Sequence, residues 1–157
     1  MNSSVKTEVA KVVGLFGTCG NSKWREEVMP RLAAANVAFF NPVVPDWKPE
    51  HAVNEAKHAA EDAVIMLVIT GETTAIASMA ESGWLAAHAI QRGQSLVMVL
   101  QDMPVETEPV DDTKRNNKAR NLLRQHIKSL NSPNVFLCET IEAATDMAVQ
   151  LMMGEHA

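Results

Sequence analysis

Apolar residues fall along the chain in five short, nearly continuous runs: VVGLF from Val12, VAFF from Val37, AVIMLVI from Ala63, SLVMVL from Ser95 and NVFLC from Asn134. Runs of this length, rich in aliphatic and β-branched residues, predict strands. Between them apolar positions recur every three to four residues, over roughly 23–35, 51–61, 78–91, 113–130 and 141–153, and this period predicts helices. Strand and helix alternate throughout. Such alternation calls for parallel strands joined by right-handed helical crossovers, and strands that read as unbroken apolar runs are covered on both faces. The expected fold is α/β: a doubly wound five-stranded parallel sheet in three layers, α/β/α. In such sheets ligands bind beyond the carboxyl ends of the strands, where the strand order reverses and helix N-termini point. That rule selects the loops 17–23, 41–50, 70–77 and 101–112.

Composition narrows the picture. At 157 residues the chain is long enough to bury a core without staples. With no repeat, low-complexity tract or linker, one domain over 1–157 is expected. The net charge of −5 opposes a general nucleic-acid-binding surface, so any nucleotide recognised is small. Cys19 and Cys138 lie far apart with no CxxC spacing, and His51, His58, His88, His126 and His156 form no HExxH or paired Cys and His pattern. Neither zinc nor a disulfide framework is indicated. The N-terminal MNSSVKTEVA lacks the apolar core of a signal peptide, and the longest apolar run, 63–69, is too short to span a bilayer. A cytoplasmic protein is expected, with no cofactor, metal or membrane partner.

The selected loops carry the candidate chemistry. In GTCGNSKWR, Gly17 and Gly20 permit close backbone approach, while Thr18, Asn21 and Ser22 offer hydroxyl and amide groups beside an incoming helix. This combination suits a phosphate or a sugar hydroxyl. It also suits a tight turn with Asn21 or Ser22 capping the helix. Neither the GxxxxGK[ST] nor the GxGxxG pattern is present. Trp24 and Arg25 either line the same cleft or, in the case of Trp24, anchor the core. In FFNPVVPDWKPEH, residues 39–51, prolines hold the loop extended, and Asn41, Asp46 and Trp47 supply an amide, a carboxylate and a ring on which a base can stack. Alternatively Trp47 is buried and Asp46 makes a local turn bond. Asn54 and Glu55 follow on the next helix, within reach of a base or facing solvent. Asp62, at the opposite edge of the sheet, reads as structural.

After the third strand, Thr70 leads into SMAES, where Ser78 and Glu81 have capping-box spacing. Glu81 either reaches back to the amide of Ser78 or stands at the ligand edge as a carboxylate whose ionised form the helix dipole favours, as a nucleophile needs. The acidic loop 101–112 is long enough for a lid and reads more simply as a mobile connection. In TKRNNKARNLLRQHIKSL, Lys114, Lys118, Arg120, Arg124 and Lys128 read as a solvated face, with Leu122, Leu123, Ile127 and Leu130 towards the core.

Taken together and in order, GTCGNSKWR, FFNPVVPDW, AVIMLVIT and SMAES resemble the nucleoside 2-deoxyribosyltransferase-like family over about residues 11–100. The resemblance implies a flavodoxin-like, Rossmann-like sheet and cleavage or transfer at the N-glycosidic bond of a nucleoside or nucleotide. Glu81 would be the nucleophile, forming a covalent glycosyl ester. The acid for the leaving base would come from Asp46, Glu55 or a neighbouring subunit. The matching stretches and the helix after them supply the candidate substrate contacts: Gly17, Thr18, Cys19, Asn21, Ser22, Trp24, Arg25, Asn41, Pro42, Trp47, Glu55, Thr70 and Ser78. A homo-oligomer is also implied. Three features depart from the family's pattern. Ala75 stands where transferases carry an aspartate, the chain contains no tyrosine, and Glu81 is followed by Ser82 and Gly83 instead of Leu and Gly. A non-catalytic nucleotide-binding or sensing module on the same fold therefore stays open as a second reading, and a phosphate-site enzyme without glycosyl chemistry as a third.

Overall fold

The computed structural model describes residues 10–154. In chain order the elements are β1 (Ala10–Gly17), α1 (Trp24–Ala34), β2 (Phe39–Phe40), α2 (Pro49–Glu61), β3 (Asp62–Ile69), α3 (Ile76–Arg92), β4 (Ser95–Leu100), α4 (Val110–Ser129), β5 (Val135–Cys138) and α5 (Ile141–Met153). The five strands form one sheet in the order β2-β1-β3-β4-β5, and every pairing is parallel. This is the doubly wound order of flavodoxin-like proteins, with its switch point between β1 and β3.

The centre of the sheet explains why the apolar runs are unbroken. Side chains alternate across a strand, and on β3 both sets are buried. Val64, Met66 and Val68 pack with Trp24, Val28 and Leu32 of α1 and with Ala144 and Ala148 of α5. Ile65, Leu67 and Ile69 pack with Ala59 of α2, Leu85 and Ala89 of α3, and Ile127 of α4. Each fully buried aliphatic side chain contributes roughly 1.5–3 kcal/mol relative to exposure, so β3 anchors both layers.

Element ends differ from the expected ones for local reasons. β2 is a two-residue edge strand, because Pro42 and Pro45 follow and cannot extend a ladder. α2 begins at Pro49, the favoured first helical position for proline, and His51 Nδ1 accepts the Lys48 N–H at 2.8 Å. α4 begins at Val110, with Asp111 and Asp112 in its first turn, where negative charge complements the helix dipole.

Two expectations are corrected. The face of α4 that turns inward includes arginine: Arg120 is fully buried, while Leu122 and Leu130 are exposed. Arg120 donates to the carbonyls of Thr70 (2.8 Å), Thr73 (2.6 Å) and Gln101, and Arg124 donates to that of Leu100 (3.0 Å). Carbonyls at the strand ends need donors, and guanidinium groups supply them. The loop before α4 is tied down as well. Met103 is buried and exchanges two backbone hydrogen bonds with the Asn117 amide, at 2.8 and 2.9 Å. Asp62 is buried against His58, with Nδ1 at 2.9 Å, as a structural residue would be. Among the described residues no helix is long and apolar enough to cross a membrane.

Gly17 ends β1 with φ +126, and a Cβ there would run into the backbone of Val68. The Thr18 amide donates to the Val68 carbonyl at 2.9 Å, so the chain must pass this close. Gly17→Ala is expected to cost roughly 2–4 kcal/mol through strain and steric overlap, measured as a lowered denaturation midpoint at unchanged m-value.

Candidate active site

A cleft of about 820 Å³ opens at the switch point between β1 and β3, bounded by the loops after β1 and β2 and by α2 and α3. Its floor is Phe16, Gly17, Thr18 and Cys19. Ala52, Glu55 and Ala56 of α2 face Ser78, Glu81 and Trp84 of α3, and Pro42, Val43, Val44 and Trp47 form the rim.

The floor is shaped from beneath. Thr18 Oγ1 accepts the Thr70 N–H at 3.0 Å, and Trp24 Nε1 donates to the Thr18 carbonyl at 2.9 Å. The buried guanidinium of Arg25 donates to the carbonyls of Leu15, at 3.1 and 3.0 Å, and Thr18, at 2.7 Å. Burial pushes the pKa of Arg25 down, an effect opposed by nearby Cys19. Arg25 touches the cleft but directs its hydrogen bonds to the main chain. Trp24 is a core residue outside the lining. Ser22 Oγ donates to Glu72 at 3.1 Å and lies 3.3 Å from Thr70 Oγ1. Asn21, Ser22 and Thr70 are all outside the lining.

The loop after β2 is held by an Asx turn, in which Asn41 Oδ1 accepts the Val43 N–H at 3.0 Å. Asn41 therefore aims Pro42 and its neighbours at the cleft without lining it. Asp46 points outward, its side chain 86% exposed and 3.8 Å from Lys48. Trp47 stays in the rim and donates from Nε1 to Glu55 Oε1 at 2.9 Å, which fixes the Glu55 carboxylate.

α3 begins differently from the expected capping box. Its first residue is Ile76, preceded by Ala75 in the left-handed conformation, φ 48 and ψ 39. The Ala75 N–H donates to Thr73 Oγ1 at 3.1 Å. Ser78 is thus inside the helix, and the carboxylate of Glu81, in the second turn, makes no hydrogen bond among the described residues. The helix dipole acts within the first turn and does not govern Glu81. Glu81 is exposed to solvent on its outer side; partial desolvation by the cleft wall, and secondarily the negative charge of Glu55, raise its pKa above the ordinary glutamate value of 4.5. The helix start thus differs from the one the capping-box spacing predicts, and Glu81 lies a turn beyond the reach of the dipole. Glu55 and Glu81 both line the cleft, and the charge of Glu55 disfavours that of Glu81.

Sequence reasoning missed Trp84 and the small residues of α2. The signal was present in the helical period: Glu81, Trp84 and Leu85 share a face, as do Ala52, Glu55, Ala56 and Ala59. Among the described residues no cluster of His, Cys, Asp or Glu is placed to hold a metal ion.

Fold and site together define a flavodoxin-like α/β protein with a carboxylate-bearing cleft at its switch point. The family model of nucleoside 2-deoxyribosyltransferase-like proteins matches residues 11–103, more than half of the chain and every residue that lines the cleft, and the chain belongs to that family. No curated protein matches it.

Ala75 holds a conformation that costs a non-glycine residue about 1–2 kcal/mol. Ala75→Gly is expected to raise stability by about 1 kcal/mol, seen as a higher Tm; an unchanged or lower Tm would show that the conformation carries no strain.

Proposed function

We propose that the cleft binds a nucleoside or nucleotide and cleaves its N-glycosidic bond, passing the sugar to water or to a second base, with Glu81 as nucleophile. The observation that carries this reading is the carboxylate of Glu81 itself. It lines the cleft without a hydrogen bond or ion pair among the described residues, in a chain of the nucleoside 2-deoxyribosyltransferase-like family. A carboxylate held by donors would be a poorer nucleophile.

The arrangement supports a double displacement. Ionised Glu81 attacks the anomeric carbon, the bond to the base nitrogen breaks with its electron pair leaving on nitrogen, and a glycosyl ester forms through an oxocarbenium-like transition state. Water or a second base then attacks the same carbon and restores the carboxylate. Glu55, held by Trp47, is the facing group able to move a proton, whereas Asp46 projects away from the cleft. The Gly17–Gly20 turn suits the sugar end, and the rings of Trp47 and Trp84 suit the base. Exposed apolar residues Val43, Trp47, Val53, Ile76 and Trp84, four of them lining the cleft, support a homo-oligomer as part of this reading. The second reading, a binding or sensing module, is favoured by Ala75 in place of an acidic residue.

Chromatography of the protein with nucleosides, deoxynucleosides and their monophosphates, with and without a second free base, separates the two. Base release or exchange is expected, with Glu81→Gln at least about 10³-fold slower. Binding without turnover by wild type would select the module.

Attack requires ionised Glu81, so kcat/KM is expected to fall as pH drops through its raised pKa, placing the acid limb above pH 4.5. Burial is the larger cause and Glu55 the smaller. Glu55→Gln is therefore expected to move the limb to lower pH by only part of its displacement; a limb that stays put or rises would show that the two carboxylates do not interact.

A further inference from the structure

The charge of the cleft is one-sided. Glu55 and Glu81 both line it, and no lysine does. Its one arginine, Arg25, is committed to the carbonyls of Leu15 and Thr18. Lys48, outside the lining, lies 3.8 Å from Asp46. Arg92 sits 5.9 Å from the Trp84 ring and donates to the Ala59 carbonyl. Two indoles complete the pattern: Trp47 is 54% exposed and Trp84 46%, and both line the cleft. Aromatic faces with carboxylates and no free ammonium form a site for a cation, because the ring quadrupole and the carboxylates attract the same charge.

Resting on the glycosyl reading above, we propose that the substrate preferred by this cleft carries a positive charge on its base while the glycosidic bond is intact, as in a pyridinium N-glycoside or the nucleoside of a purine alkylated at a second ring nitrogen. The carboxylates then gain a counter-charge where they would otherwise repel each other, in line with the raised pKa of Glu81. The proposal also accounts for a cleft from which Asp46 is turned away. Attack by Glu81 breaks the bond to the cationic nitrogen, whose electron pair neutralises it, so the base departs without a proton. Water then attacks the ester, giving its proton to Glu55 and releasing the free sugar.

The test compares ligands that differ in charge and little in shape. Calorimetric titration of the full chain with 1-methylnicotinamide, a cation, and with neutral nicotinamide is expected to show the cation binding about tenfold more tightly. The preference should shrink to less than about threefold in Glu55→Gln and in Trp84→Leu, each with a wild-type circular dichroism spectrum. Equal binding, tighter binding of nicotinamide, or no binding of either overturns the proposal, as does a preference unchanged in both variants. Turnover is read separately, with nicotinamide riboside and inosine as substrates. A cation preference with no cleavage of either would leave the cation site standing and refute the glycosyl reading. Glu81-dependent cleavage of inosine with no cation preference would do the reverse.

Discussion

A buried guanidinium group must place its N–H groups on acceptors, because leaving them unpaired in a low-dielectric interior costs several kcal/mol. The carboxyl edge of a parallel sheet has the complementary need, since carbonyls past the last ladder rung have lost their strand partners. Arg25 and Arg120 meet both needs at once. Arg25 ties the end of β1, through Leu15, to the turn at Thr18. Arg120 ties Thr70 and Thr73, after β3, to Gln101, after β4. The loops of the cleft are thereby held from below, by groups that do not reach into it as free charges.

That division of labour bears on the chemistry. Thr18, Thr70, Trp47 and Glu55 each have a hydrogen-bonding partner that fixes their place. Glu81 has none among the described residues, and its helix starts from a loop that Arg120 grips at Thr73. A reactive carboxylate gains from this arrangement, because its position is set by the backbone while its oxygens stay available. The same arrangement leaves the charge of Glu81 disfavoured, through partial desolvation by the cleft wall and, to a smaller degree, the charge of Glu55.

The sheet was legible because burial on both faces writes an unbroken apolar run, and the alternation of β3 between two helical layers is what that run records. The ligand edge was legible for a related reason: parallel strands put all their carboxyl ends together, so the loops after β1, β2 and β3 had to converge. What stayed hidden depends on finer geometry. The spacing of Ser78 and Glu81 satisfies a capping box, yet the helix begins two residues earlier because Ala75 turns left-handed, and no side-chain pattern encodes that turn. Arg120 looked like one member of a solvated basic stripe because composition cannot show which arginine meets an unpaired carbonyl. The pairing of Glu55 with Glu81 needed the tilt of two helices from different crossovers.

The departures from the family pattern acquire different weights once placed in the fold. Ser82 is buried and donates to the Met79 carbonyl at 2.6 Å, so a hydroxyl replacing an apolar side chain is absorbed within α3 and does not line the cleft. Ala75 does line it. An acidic residue at that position would add a third carboxylate to a cleft in which Glu55 already disfavours the charge of Glu81. With alanine there, the facing carboxylate comes from α2, as Glu55, and is held by an indole N–H from the preceding loop. On the proposed function Glu55, on the wall opposite α3, is the proton-handling group, and the cleft holds a carboxylate pair without an acidic residue at position 75.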